Sequence, residues 1–156
     1  MQKNKTYNIK EAIERIQSYC ALQDRCRWEV EKKMKEWGVK ENIIENILSD
    51  LILEKFIDEQ RFAESFCRGK FRIKRWGKIK IKNELRLRKI SVSCINKGLE
   101  QIDDKEYYSV LKELHKKKKN SLKEENQFVR NIKIVKYLQQ KGFENNLILE
   151  LINSDK

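Results

Sequence analysis

The 156-residue sequence contains no proline and only five glycines. Sheet proteins turn every few residues and place glycine and proline in those turns, so an all-β fold is disfavoured. Long apolar runs are also missing, because a charged residue interrupts each run after a few positions. The sequence therefore predicts no membrane span and no secretory signal, and we expect a cytoplasmic protein.

Residues that commonly bind metals or carry out catalysis are few. The only histidine is His115, and none of the four cysteines, Cys20, Cys26, Cys67 and Cys94, forms a CxxC pair. Zinc sites need such pairs or several histidines, so we predict no metal site and no cofactor. We expect His115 on the surface and the thiols to be reduced and structural.

Two acidic groups are candidates for catalytic carboxylates: Asp58, Glu59 and Glu64, and Asp103, Asp104 and Glu106. Acids at these places complement the dipole of a helix that begins there, which explains both groups without chemistry. A glycine-rich phosphate loop is also missing from the sequence, since the Trp-Gly-Lys at 76–78 has neither the first glycine nor the Ser/Thr. We predict no catalytic residue and no enzymatic activity.

The charge that is present is concentrated in one segment. The chain has a net charge of +12, and residues 68–89 contain eleven basic residues against the single acid Glu84. Such a density of like charge is tolerated mainly where a polyanion or an acidic protein surface relieves it. Apolar residues alternate with these cations, and we expect the aromatic ones, Phe71 and Trp76, to lie in the core.

The chain contains three copies of one helical unit. Residues 34–48, 85–99 and 138–152 align without gaps and place apolar residues at the same four positions. This repeat predicts an all-α fold of three tandem three-helix repeats in a solenoid-like array. The predicted domains are 1–57, 58–103, which is strongly basic, and 104–156.

The predicted helices are 8–22, 24–37, 40–54, 58–74, 78–89, 91–101, 104–118, 123–141 and 144–153. Asp24 and Asp58 are expected to cap the helices that follow them. Gly38 and Gly142 match a left-handed helix end, whereas the second copy has Lys89 there. Either Lys89 adopts that conformation at a cost of about 1 kcal/mol, or the turn differs in this copy.

A DNA-binding helix-turn-helix protein is the obvious alternative for such a repeat. The third helix of each unit would then enter the major groove and should be basic on its outer face. These helices are acidic, neutral or apolar, as in residues 40–54, and the cations lie on the first two helices of the middle unit. The charge distribution therefore favours packing elements over recognition helices.

Residues 56–68, FIDEQRFAESFCR, followed by Trp76-Gly77 and the basic helix with Glu84-Leu85, resemble the RecX family of bacterial RecA regulators. The resemblance extends over essentially the whole chain, through 19–37 and through Lys-Gly-Phe at 141–143. It implies three three-helix units in an elongated, curved array that binds the groove of RecA filaments and inhibits RecA, regulating recombination, DNA repair and the SOS response. The chain departs from the family pattern at Lys89, where many relatives have glycine.

We predict that the cations of the middle unit contact RecA or DNA: Arg68, Lys70, Arg72, Lys74, Arg75, Lys78, Lys80, Lys82, Arg86 and Arg88. Arg61 is expected to be structural and to pair with Asp58 or Glu59. The alternative is a sequence-tolerant protein that binds single- or double-stranded DNA directly. We expect a monomer without membrane contact, since no sustained heptad seam is present.

Overall fold

The structure, a computed structural model, describes residues 7–155, and in this range it contains nine α-helices and no strand. The first unit holds α1 (Ile9–Leu22), α2 (Arg27–Glu36) and α3 (Glu41–Leu53). The second holds α4 (Glu59–Arg72), α5 (Lys78–Leu87) and α6 (Val92–Leu99), and the third holds α7 (Asp104–Ser121), α8 (Gln127–Lys141) and α9 (Asn145–Ser154). The all-α prediction with three helices in each unit is confirmed. No helix in the described range is long and apolar enough to cross a membrane.

Short polar side chains determine where several helices begin. The side chains of Asn8, Asp58, Ser91, Asp103 and Asn126 each accept a hydrogen bond from the backbone N–H three residues later. Each bond satisfies a donor that has no partner within the helix. The prediction that Asp58 caps its helix is confirmed, and Asp103 does the same for α7.

The turn between the second and third helices is the same in all three units. Gly38, Lys89 and Gly142 have φ angles of 76°, 58° and 98°, and all three lie in the left-handed region. In each turn the N–H of the next residue donates to a carbonyl five residues back, at 3.1 Å in every case. This is the expected left-handed helix end. Lys89 therefore adopts the strained conformation, and the turn does not differ in this copy.

The positions aligned by the repeat form the core. The first aligned position, Met34, Leu85 and Leu138, is fully buried in all three units. Ile44, Ile95 and Ile148 at a later aligned position are at most 1% exposed. Burial of such side chains stabilises a fold by about 1.5–3 kcal/mol each, so the repeat register is maintained by the hydrophobic effect.

The core divides unevenly among the units. The first unit has its own apolar cluster, which includes Ile16, Met34 and Leu48. The second and third units share one continuous cluster, and Cys26 at the start of α2 and Trp28 within it extend into this cluster. The sequence repeat predicts similar units but gives no sign that two of them share a core, because that depends on which surfaces meet.

The second and third units meet at a close backbone approach, which we call the joint. The N–H of Gly77 donates to the carbonyl of Lys141 at 2.7 Å, and the N–H of Ile79 donates to the carbonyl of Gly142 at 3.0 Å. Tyr107 accepts from the N–H of Lys78 at 3.0 Å and donates to the Glu144 carboxylate. Burial raises the pKa of the Tyr107 hydroxyl, and its bond to Glu144 raises that pKa further.

Three sequence-based expectations about individual residues are wrong. Asp24 does not cap α2, which begins at Arg27 with Cys26 at the capping position. Arg61 does not pair with a neighbouring acid through its guanidinium, which binds the Asp24 carboxylate at 2.7 Å instead. His115 is buried rather than on the surface, with only 7% of its area exposed. Each error concerns a contact with a distant element, which local spacing does not encode.

Helix ends also differ from the prediction in the third unit. Helix α7 continues to Ser121, and α8 begins at Gln127 with Asn126 as its cap. The prediction ended α7 at residue 118 and began α8 at residue 123. The lysine run at 116–119 therefore lies within α7, where exposed lysines are compatible with a helix.

Candidate interaction surface

Nine of the ten predicted contact residues lie on α4, on α5 and on the connection between them, and the tenth, Arg88, directly follows α5. The structure does not gather them into one patch. Some form ion pairs with the third unit, some bind groups within their own unit, and the remainder lie on two separate exposed surfaces.

Three of the predicted cations face acidic residues of α7. Arg75 binds Glu113 at 2.9 Å, Lys78 binds Asp104 at 3.3 Å, and Arg72 lies 3.9 Å from Glu106. Exposed ion pairs contribute about 0–1 kcal/mol each, so these contacts orient the two units more than they stabilise them. The same cations are partly neutralised within the protein, which makes them weaker candidates for an external partner.

Two further arginines bind groups inside their own unit. Nη1 of Arg88 donates to the carbonyl and the carboxylate of Glu84, both at 3.0 Å, and its guanidinium lies 5.0 Å from the Phe66 ring. Arg68 donates to the Gln101 side chain at 3.1 Å. Arg88 in particular is half-buried, and we interpret it as a structural residue.

One exposed surface lies on α5. Ile79, Lys82, Asn83, Arg86 and Leu87 follow helical spacing and share one side of the helix, away from the buried Ile81 and Leu85. We call this side the α5 face. Ile79 is 45% exposed and Leu87 67% exposed, and neither lysine nor arginine on it has a carboxylate partner among residues 7–155.

The second surface lies at the joint. The Nζ atoms of Lys80 and Lys70 lie 4.5 Å and 5.0 Å from the Trp76 ring centroid, and Nζ of Lys141 donates to the Lys74 carbonyl at 2.8 Å. We call Lys70, Lys74, Trp76, Lys80 and Lys141 the joint cluster. Burial lowers the pKa of Lys141, and the charges of Lys80, Arg75 and Lys74 lower it further.

Lys141 is the residue that sequence reasoning missed. It lies 67 residues from Lys74 along the chain, outside the basic segment. No local signal marks it, because only the docking of α8 against the start of α5 brings it beside Lys80.

The apolar residues between the cations are only partly in the core. Phe71 is 2% exposed, as expected for a core aromatic, and Trp76 is half-buried. Ile73, by contrast, is 79% exposed and lines a groove of about 250 Å³ with Phe66 and Lys70. Alternation with charge therefore does not identify the buried residues in this segment.

The cysteines fit a structural role. All four are free, and Cys20, Cys26 and Cys67 are buried. Burial raises the pKa of Cys20 to about 11 and those of Cys26 and Cys67 to about 12, so these thiols stay protonated at neutral pH. Within the described residues, no group of three or more His, Cys, Asp or Glu side chains could bind a metal ion.

Comparison with known proteins identifies tandem three-helix domains. The family model for the RecX second three-helix domain matches residues 58–99, and that for the third matches residues 104–152. The regulatory protein RecX of Clostridium tetani is 35% identical over 117 residues, which are 74% of this chain and 53% of that protein. The regulatory protein RecX of Oceanobacillus iheyensis is 31% identical over 82% of this chain and 47% of its own length.

Solved structures of RecX proteins have the same fold as this chain. The crystal structure of RecX from Lactobacillus salivarius superposes with a TM-score of 0.79 at 26% identity, covering 94% of this chain and 95% of that one. Another crystal structure of regulatory protein RecX gives a TM-score of 0.83 at 27% identity, covering 94% of this chain and 71% of that one. The chain belongs to the RecX family of regulatory proteins.

The chain spans between 47% and 64% of the length of the curated relatives it matches. The domain limits at residues 57 and 103 and the ten contact residues stay predictions.

Proposed function

We propose that this chain regulates RecA by binding along the helical groove of the RecA filament and inhibiting its recombinase and ATPase activities. Membership in the RecX family supports the proposal, because its relatives from Oceanobacillus iheyensis and Clostridium tetani are named as regulatory proteins. In this proposal the chain acts in the cytoplasm as a binding protein and catalyses no reaction of its own.

The α5 face is the observation that carries the proposal. Lys82 and Arg86 lack an internal carboxylate partner in the described range, and they lie beside the exposed Ile79 and Leu87. Exposed apolar side chains gain free energy only when a partner covers them, at about 25 cal/mol per Å² of apolar area. A surface that combines cations with apolar side chains therefore suits an acidic protein surface with its own apolar patch.

Charge and avidity have separate effects in this arrangement. Cations that have no internal partner attract an acidic groove and increase the association rate, with a strong dependence on salt. Repeated filament subunits offer further contacts to the other units, and each added contact is intramolecular once the first has formed. A chain of three small units can therefore bind a filament tightly without any single strong site.

The test measures hydrolysis of ATP by RecA on single-stranded DNA, at fixed salt, with this protein added below the RecA concentration. We expect inhibition at ratios too low to coat the DNA. The variant Lys82→Glu with Arg86→Glu should inhibit at least about ten-fold less effectively, because reversal of two charges opposes an acidic partner.

The matched control is Lys116→Glu with Lys136→Glu, which changes the net charge equally on exposed lysines of the third unit. This control should inhibit like the parent protein. Equal inhibition by all three proteins would reject the α5 face as the RecA-binding surface. Inhibition that appears only when the protein saturates the DNA would reject action on the filament.

A further inference from the structure

The joint cluster shares no residue with the α5 face and has a different composition. Its four lysines come from α4, α5, α8 and the connection after α4, and Trp76 lies among them. On α5, Lys80 lies about 160° around the helix axis from Lys82, but about 60° from Asn83 and about 20° from Leu87, so the two surfaces adjoin along this helix. The other members of the joint cluster lie on α4, on the connection after α4 and on α8, outside the α5 face.

In the part of the chain that the structure describes, the lysines of this cluster have no carboxylate partner. None of the four forms an ion pair within residues 7–155, although lysines elsewhere in the chain do, as Lys119 does with Asp155. Two carboxylates lie on the margins: Asp24 lines the groove beside Lys70 and binds Arg61, and Glu113 binds Arg75. Both are already engaged by arginine, which leaves the lysines positive.

Holding these lysines together opposes folding. Lys141 is half-buried, and Lys80, Arg75 and Lys74 repel its charge, which is why its pKa falls below the usual value. Lys141 nevertheless donates to the Lys74 carbonyl, so its ammonium stays at the joint rather than extending into solvent. An anion at this place would relieve the repulsion and gain several charge-assisted hydrogen bonds.

An aromatic ring among lysines indicates which anion fits. Bases of single-stranded nucleic acids stack on Trp, Tyr and Phe rings while lysines bind the neighbouring phosphates. Bases in a duplex are stacked on each other and cannot reach such a ring. Phe66 lies beside Lys70, at 5.4 Å from its Nζ, and lines the adjoining groove, so a second ring continues the surface beyond Trp76.

From this arrangement we infer that the joint cluster is a binding site for single-stranded nucleic acid, with Trp76 stacking on a base and Lys80 and Lys141 binding phosphates. The site is formed only when the second and third units are docked, because Lys141 belongs to one and Lys80 to the other. It requires neither RecA nor the α5 face, so it can be tested without them.

The first experiment measures binding of a fluorescein-labelled 20-nucleotide oligo(dT) by fluorescence anisotropy at NaCl concentrations between about 0.05 and 0.3 M. In a plot of the logarithm of the binding constant against the logarithm of the salt concentration, each phosphate contact to a single strand contributes about −0.7 to the slope. The variant Lys80→Gln with Lys141→Gln should reduce the magnitude of this slope by about 1.4, which corresponds to about 25-fold weaker binding at 0.1 M salt. The matched control, Lys116→Gln with Lys136→Gln, should bind like the parent. Equal loss in both variants would overturn the assignment, because it would show a general effect of net charge.

The second experiment uses Trp76 as a reporter and does not depend on the lysine variants being folded. With Trp28→Phe and Trp37→Phe, Trp76 is the only tryptophan in the chain. Addition of unlabelled oligo(dT) should quench its emission by stacking, and a duplex of the same length should not. Binding without quenching, or equal quenching by the duplex, would overturn the role of Trp76. Far-ultraviolet circular dichroism confirms that each variant has the parent's helix content.

Discussion

Gly77 lies where the backbones of the second and third units are in contact, and its replacement by alanine should open the joint. A Cβ atom at this position would lie 2.3 Å from the carbonyl carbon and oxygen of Gly142 and 2.4 Å from the nitrogen of Phe143. All three are backbone atoms, which cannot rotate away as the end of a flexible side chain can. Ordinary contact starts at 3.4 Å, so the units must separate by about 1 Å.

The cost follows from the bonds that this separation breaks. Two backbone hydrogen bonds, at 2.7 Å and 3.0 Å, and the bond from Lys78 N–H to Tyr107 hold the joint. Each contributes about 0.5–1.5 kcal/mol, and partial opening of the shared core adds to the loss. We expect Gly77→Ala to lower the free energy of unfolding by about 3–5 kcal/mol, within the range of severe core mutations.

Backbone strain does not add to the expected loss of stability, because Gly77 has a φ of −75°, which alanine adopts readily. Loss of glycine at a helix cap costs under about 1 kcal/mol, well below the expected effect. The matched control is Gly69→Ala in α4, where an added Cβ meets nothing within 4 Å. Alanine should stabilise that helix by about 0.5–1 kcal/mol.

The assay is urea unfolding followed by circular dichroism, with the two alanine variants measured beside the parent protein. A loss below about 1 kcal/mol for Gly77→Ala would refute the reasoning, since the cap alone accounts for that much. It would mean that the two units are not held by the backbone contact described above.

Three other predictions concern local energetics, each measured by the same unfolding assay. Lys89→Gly should stabilise the protein by up to about 1 kcal/mol, because it removes a lysine from the left-handed conformation, whereas Gly38→Ala should destabilise it by about 1 kcal/mol. If both variants changed the free energy of unfolding in the same direction, the two turns would not share this conformation. Arg61→Gln should lower the free energy of unfolding by less than about 1 kcal/mol, because its partner Asp24 is partly exposed. A double-mutant cycle with Asp24→Asn should give a non-zero coupling energy, and a coupling energy of zero would contradict the ion pair. Burial lowers the pKa of His115 below 6.5, so the unfolded chain binds more protons and stability should fall as the pH drops below about 6.5. His115→Gln should remove that part of the pH dependence, and an unchanged pH profile would contradict it.

The groups around His115 explain why burial alone sets the direction in which its pKa shifts. Lys119 and Asp155 both face the imidazole, and they bind each other at 2.6 Å. The carboxylate raises the pKa of His115 and the ammonium lowers it, so their effects oppose each other. Desolvation is the largest cause and acts against the charged form.

The sequence by itself determined the architecture of this protein. Apolar residues at fixed positions in three aligned segments predicted the helices, their register and the buried set that includes Met34, Leu85 and Leu138. Capping by Asp58 and the turns at Gly38 and Gly142 were also predictable. These features depend on neighbours within a few residues along the chain, where side-chain identity fixes backbone preference directly.

Only the tertiary structure decided which cations are free. The ten predicted contact residues look equivalent in sequence, yet Arg75 binds Glu113 and Arg88 binds Glu84, while Lys82 keeps no such partner in the described part of the chain. Tertiary contacts also paired Arg61 with Asp24 and buried His115. Charge interactions act between groups that are close in space, and docking of the units sets those distances. Lys141 joins the candidate nucleic-acid site for the same reason, since α8 packs beside the start of α5.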